Sequence, residues 1–188
     1  MKYCCECGSS VIKKIPENDT FHRYVCEDCQ TIHYQNPRII TGCISAWEDK
    51  ILLCRRAIEP RYGLWTIPAG FMENDETTQQ GAARETLEEA QAEVAELQLF
   101  GVFNAPHINQ VFVMFRGNMV NDHYGATHES LETKLFTEEM IPWDELSFPV
   151  VRECLKLYFA DKKNHHYPVH FGDVIRNKQN KVTINRYS

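Results

Sequence analysis

No stretch of this chain approaches the roughly 20 consecutive apolar residues that a membrane-spanning helix needs. Met1-Lys2-Tyr3 runs straight into cysteines, without the apolar core of a secretory leader. No block of Lys or Arg stands out, the formal net charge is −6, and no internal repeat is visible. Each absence excludes something. A membrane is not expected as a partner, and the expected location is the cytoplasm. A general nucleic-acid binder carries a basic face, so nucleic acid is not expected as a partner either. The acidic balance also disfavours anionic ligands, unless cations bridge the repulsion.

What is present fits one ordinary domain with a core, plus a small module: 188 residues, 43% of them hydrophobic. Four of the eight cysteines form two short turns, Cys4-x-x-Cys7 and Cys26-x-x-Cys29. In a secreted chain such pairs suggest disulfides. With no leader, the spacing reads as a tetrahedral zinc site. Gly8 suits a tight turn with backbone N–H groups aimed at sulfur. Cys5, Cys43, Cys54 and Cys154 read as spare or core thiols. Residues 1–35 are too few to bury a core, so metal binding must supply much of their folding energy. Phe21, Tyr24 and Val25 are the candidate packing residues.

Tyr34-Gln35-Asn36-Pro37 marks a boundary, because Pro restricts its predecessor to extended geometry. The patterning predicts strands over 38–47, 51–54, 94–103, 110–115 and 132–136, with an extended run over 64–69. A loop is expected over 70–75. A last helix opens at Pro149 and repeats Val150, Val151, Cys154, Leu155 and Tyr158 at helical spacing. Residues 161–188 form a C-terminal tail, with a candidate hairpin of Val174-Ile175 against Val182-Thr183-Ile184.

Thr77 followed by Gln80 fits a capping box, so a helix is expected from about Thr77. At about 100° per residue, Glu85, Glu88 and Glu89 share one face. Ala83, Leu87, Ala90 and Val94 fall on the opposite, apolar face. Gly81 lies near the carboxylate face, leaving room for a ligand. Arg84 sits four residues before Glu88, within reach of a pair. Three such carboxylates repel one another. They make either a solvated acidic face or a site for a hard divalent cation.

The stretch Gly70-x5-Glu76-x7-Arg84-Glu85-x-x-Glu88-Glu89 resembles the Nudix box of the Nudix hydrolase family. Trp65-Thr66-Ile67-Pro68-Ala69-Gly70-Phe71-Met72-Glu73 is similar to that family's approach to the box. The resemblance covers roughly residues 36–160. It implies an α/β fold: an α/β/α sandwich with a mixed sheet, here preceded by a small zinc ribbon over 1–35. It also implies an enzyme that cleaves phosphoanhydride bonds. Glu85, Glu88, Glu89 and the Gly70 carbonyl would hold Mg²⁺ or Mn²⁺, with Glu85 also catalytic, while Arg84 and Glu76 would pair and steady the carboxylates. Such cations would let an acidic protein accept an anionic substrate. Two positions depart from the family pattern: Thr86 stands where an aliphatic residue is usual, and Gln91 where a helix-ending Gly is usual. Gln adopts positive φ only at a cost of ~1–2 kcal/mol, so the helix is expected to run on or to exit differently. A general base is expected from the loop near Glu129 and Glu132; each is also readable as a surface carboxylate.

A zinc ribbon ahead of a Nudix domain is similar to the architecture of NADH pyrophosphatases. Their further motif, Ser-Gln-Pro-Trp-Pro-Phe-Pro-x-Ser, is missing. Ile141-Pro142-Trp143-Asp144-Glu145-Leu146-Ser147-Phe148-Pro149 is only superficially like it. The chain looks closer to ADP-ribose and FAD pyrophosphatases, so the expected reaction converts an ADP-containing nucleotide to AMP and a second phosphate product. NADH or NAD-cap cleavage is the alternative. A non-catalytic nucleotide sensor or nucleic-acid-binding ribbon is the alternative of another class. Trp65, Phe103 and Phe115 are candidates for stacking an adenine, and Arg55 and Arg56 for meeting phosphates; each is also readable as core or sheet edge. A homodimer is left open, with the ribbon and the tail as candidate contacts.

Overall fold

The computed structural model describes residues 1–177 and 182–187. The chain divides into two compact units, Met1–Pro37 and Arg38–Ser188.

The first unit is a three-stranded antiparallel sheet: β1 (Val11–Lys14), β2 (Arg23–Cys26) and β3 (Ile32–His33), in that order. Its buried side chains are Cys4, Pro16, Val25, Cys26 and His33. Phe21 is not one of them. It stays exposed, with the Arg23 guanidinium 5.5 Å from its ring centre and 5.0 Å from that of Tyr34. Gly8 takes the left-handed turn at φ +78 and donates to the Cys4 carbonyl at 3.0 Å.

The second unit is built on strands β4 (Arg38–Trp47), β5 (Lys50–Arg56), β6 (Trp65–Thr66), β7 (Ala69–Phe71), β8 (Val94–Ala105), β9 (Gln110–Met119), β10 (Ser130–Phe136), β11 (His170–Arg176) and β12 (Val182–Tyr187). Helix α1 (Thr78–Ala90) follows β7, and α2 (Pro149–Asn164) follows β10. The main path of the sheet is β10-β5-β4-β9-β8-β11-β12, with β6 on β5 and β7 on β4. The sheet is mixed: β4 with β9 and β8 with β11 run parallel, and the remaining pairs antiparallel. Gly70 and Phe71, expected in a loop, are drawn into β7 by pairing with Thr41 and Ile40.

Successive residues of the central strands enter different cores, as strands covered on both faces must. Ile44 and Leu53 pack with Phe100, Phe103, Leu155 and Tyr158 on the α2 side. Cys43, Leu52 and Cys54 belong to the clusters of Ala82 and Ala90 on the α1 side. The result is an α/β/α sandwich. The tail joins the same sheet. His170 to Asp173 pair with Gly101 to Asn104, and the hairpin has Val174 opposite Ile184 and Ile175 opposite Thr183. The hairpin's turn lies outside the described residues. Among the described residues no helix is long and apolar enough to cross a membrane.

Candidate active site and thiol cluster

Helix α1 begins where the capping box places it. The Thr77 side chain accepts from the Gln80 N–H at 3.2 Å, and the Gln80 side chain accepts from the Thr77 N–H at 2.8 Å. The side it buries is mainly the carboxylate side, not the apolar one. Gly81, Ala82, Glu85, Thr86, Glu89 and Ala90 are buried, whereas Leu87 is half exposed. The helix packs through its carboxylate side, and its small residues allow the close approach. Thr86 is tolerated because its hydroxyl donates to the Ala82 carbonyl at 2.8 Å.

Two glycines make this approach fit. A Cβ at Gly70 would overlap the Glu85 carboxylate, so this acid lies directly against the β7 backbone. A Cβ at Gly81 would lie 2.7 Å from both a Glu76 oxygen and the Thr41 hydroxyl. The space beside Gly81 is thus taken by these two side chains.

Arg84 is the hub. Its guanidinium grips Glu76 in two bonds, Nε to Oε2 at 3.0 Å and Nη2 to Oε1 at 2.8 Å. Nη1 donates to Glu85 at 2.8 Å and to Glu88 at 2.9 Å, and Nη2 also reaches the Phe71 carbonyl at 3.1 Å. The Arg84 bonds, followed by the Glu73 N–H, pull the Glu76 carboxyl down to about 2. Glu85 and Glu89 go the other way. Burial raises both, and each feels a neighbouring carboxylate. Glu89 is pushed up to about 8, although the Ala69 N–H donates to it at 3.2 Å and the Arg56 charge opposes the push. The region therefore crowds negative charge, and only part of it is neutralised. Such a donor set fits a hard divalent cation, which would reverse the repulsion.

Glu129 is near enough for its charge to add to the upward push on both buried acids. Its carbonyl accepts from Ala57 N–H at 2.8 Å. Glu132 points elsewhere: it is exposed on β10 and lies 3.9 Å from Arg55. Arg55 also donates to the Gly63 carbonyl at 2.9 Å. Arg56 is buried, donates to the Pro60 carbonyl at 2.9 Å and sits over the Phe148 ring at 5.2 Å.

In the first unit, the Sγ atoms of Cys4, Cys7, Cys26 and Cys29 all lie within 4.8 Å of one another. Cys4 and Cys29 are 3.6 Å apart, Cys7 and Cys26 3.5 Å. The Glu6 N–H points at the Cys4 sulfur at 3.4 Å, and Nε2 of His33 is 3.3 Å from it. Bonds from Thr31 hold the Cys29 thiol down at about 6. Four sulfurs in such a cluster, one already easy to ionise, fit a tetrahedral soft-ligand metal site.

A model of the NUDIX domain matches residues 36–158. The chain belongs to the Nudix hydrolase family. A further family model, described as Nudix N-terminal, matches residues 2–35. The crystal structure of a NUDIX hydrolase from Nitrosomonas europaea aligns at TM-score 0.90 and 51% identity, covering 93% of this chain and 99% of that one. NAD-capped RNA hydrolase NudC of Vibrio atlanticus (strain LGP32) is 38% identical over 108 residues, 54% of this chain. The match spans 36% of the length of that curated relative. An ADP-ribose pyrophosphatase from Streptococcus suis 89-1591 shares the fold at TM-score 0.57 and 22% identity.

The Nudix domain brings Gly70, Glu76, Arg84, Glu85, Glu88 and Glu89 together, with Glu129 beside them. Of the two readings open for the candidate aromatics, core and stacking platform, the structure gives the core. Phe103 is fully buried and Phe115 nearly so, each inside a core cluster. Trp65 is buried edge-on against Phe136, ring centres 4.9 Å apart. Burial of these large apolar rings leaves none an open face for a base. Three features escaped the sequence reading. The Thr41 hydroxyl is buried without a hydrogen-bond partner among the described residues, Arg56 is a counter-charge to Glu89, and the Gln91 side chain bonds to Ala126. A polar residue inside the apolar run of β4 was the available signal for Thr41. Nothing local signalled the other two.

Proposed function

We propose that this chain hydrolyses the pyrophosphate of a nucleoside diphosphate linked to a second moiety, of the ADP-ribose or FAD kind, releasing AMP. The observation that carries this reading is the pair of buried acids, Glu85 and Glu89, seated against Gly70 and Ala69. A fold does not bury two repelling carboxylates for stability; a cationic partner held by both makes sense of the pair.

Glu85, Glu88, Glu89 and the Gly70 carbonyl would hold Mg²⁺ or Mn²⁺. When bound, such ions neutralise the diphosphate and lower the pKa of water. Arg84, clamped by Glu76, steadies Glu85 and Glu88 at fixed positions. Glu129 takes the proton of the attacking water as its oxygen bonds to one of the two phosphorus atoms; the bond from that phosphorus to the bridging oxygen breaks, the other phosphate leaves with the bridging oxygen, and the products are AMP and the second phosphate compound. Glu132 is the weaker candidate base because it is exposed beside Arg55. Arg55 is the more available of the two arginines for a substrate phosphate. Cys4, Cys7, Cys26 and Cys29 would hold a structural Zn²⁺.

A second reading, cleavage of a nicotinamide dinucleotide or an NAD cap, is favoured by the name of the Vibrio atlanticus relative. Against it stands the missing Ser-Gln-Pro-Trp-Pro-Phe-Pro-x-Ser motif. Incubation with Mg²⁺ and ADP-ribose, FAD, NADH and NAD-capped RNA, with AMP or 5′-phosphate RNA as readout, separates the readings. AMP from the first two supports the proposal. Turnover of NADH or capped RNA alone transfers support to the second reading. No product from any of the four sinks both and favours a sensor.

A further inference from the structure

Helix α1 ends on Gln91, at φ 53 and ψ 23, with its N–H donating to the Leu87 carbonyl at 2.8 Å. The left-handed region is where a glycine is comfortable and a glutamine is strained. A glycine here would keep this backbone turn and its bond to Leu87. What only the glutamine side chain adds is a bond from Nε2 to the Ala126 carbonyl at 2.8 Å. The neighbouring backbone reinforces it. Gly125 N–H donates to the Ala90 carbonyl at 2.8 Å, and a Cβ on Gly125 would touch the Gln91 carboxamide at 3.4 Å. The segment from Asn121 to Glu129 is thus hydrogen-bonded to the end of α1 through residues 125 and 126 and to Ala57 through the Glu129 carbonyl, while Tyr124 packs against the cluster of Ala90 and Leu52. Between them Thr127 accepts from the Glu129 N–H at 3.2 Å. The helix that carries the three glutamates and the loop that carries Glu129 meet at this side chain.

We propose that Gln91 is a positioning residue: it latches the loop to α1 and so sets where the Glu129 carboxylate sits relative to Glu85 and Glu89. This rests on the functional reading above, in which Glu129 is the base.

The test uses the full chain with Gln91→Gly and Gln91→Glu. The glycine suits the left-handed backbone, and the glutamate keeps the size but cannot donate to a carbonyl. Expected for Gln91→Gly is a melting temperature at or above wild type, with amides from Tyr124 to Glu129 exchanging about tenfold faster. On the best nucleotide substrate, kcat falls about tenfold with KM within about twofold, in the range of lost outer hydrogen bonds. Gln91→Glu behaves alike in exchange and kcat. The loss disappears when Glu129 is already Gln, because a residue that acts through Glu129 has nothing left to position. Unchanged exchange in both variants overturns the latch. A kcat loss that persists in full beside Glu129→Gln overturns its link to the base, as does a Glu129→Gln enzyme as fast as wild type. If the wild type cleaves no nucleotide, the functional reading fails by itself, and exchange alone then decides whether Gln91 holds the loop.

Discussion

Residues 1–37 gather four thiols with three short strands and almost no apolar interior; residues 38–188 gather three glutamates on a helix seated on a sheet with both faces covered. Both units face the same difficulty, since groups that ionise repel when crowded. In the small unit the buried side chains other than cysteine are Pro16, Val25 and His33, too little to hold a fold. There an ion would organise the chain. In the larger unit apolar clusters on both faces of the sheet hold the helices, and that packing forces Glu85 and Glu89 into place against their preference for water. There the chain would organise the site for an ion.

The sharpest way to break this contrast is to strip the thiol cluster under reducing conditions and follow amide exchange. Strands β1, β2 and β3 are expected to lose protection, since a structural zinc supplies on the order of 10 kcal/mol. Residues 38–188 should keep theirs. Persistent protection of all three strands would show that the ribbon folds without metal.

In the larger unit, Glu129→Gln is expected to slow turnover ~10²–10⁴-fold while Mn²⁺ binding, read by electron paramagnetic resonance, survives. Glu132→Gln should stay near wild type; if it is the slower of the two, the base is misassigned. The reassigned aromatics offer the next test. Phe103→Ala should lower stability to urea by about 3–5 kcal/mol, with turnover per folded molecule retained. A specific loss of substrate affinity at unchanged stability would restore Phe103 to the site.

The strain of the acid pair sets a pH dependence. From about 4.5 upward the unfolded chain releases the Glu89 proton, while the folded chain keeps it up to about 8. Raising pH through this window therefore favours unfolding. Without divalent cations the total loss is on the order of a few kcal/mol. Glu89→Gln, with no charge to desolvate, should flatten this slope in a pH series of urea melts. An equal slope in the variant would place the titration elsewhere. The smallest effect is expected on the outer side of the helix, where Leu87→Lys should stay within about 0.5 kcal/mol. A larger loss there would mean that Leu87 packs against something.

That last residue shows why the sequence was only partly legible. Strand β4, the capped start of α1, Pro149 at the head of α2 and the pairing of Val174 with Ile184 follow from local chemistry: β-branched runs, a capping box, a fixed φ. Periodicity then assigns Leu87 inward and the glutamates outward, because apolar residues ordinarily take the core. Here Gly81 and Ala82 turn the carboxylate side inward. The same limit hid Gln91, whose partner lies 35 residues away in sequence. It also left Trp65, Phe103 and Phe115 open between core and platform, since an aromatic has the same letter in either place.

Arg84 carries one further consequence. A guanidinium has five N–H groups, and the bonds to Glu76, Glu85, Glu88 and the Phe71 carbonyl occupy every one. It has none to offer an incoming phosphate. A nucleotide arriving first would meet three glutamates and a saturated arginine. On the functional reading above, the phosphates would therefore depend on a bound cation, and not on Arg84, for their hold on this helix.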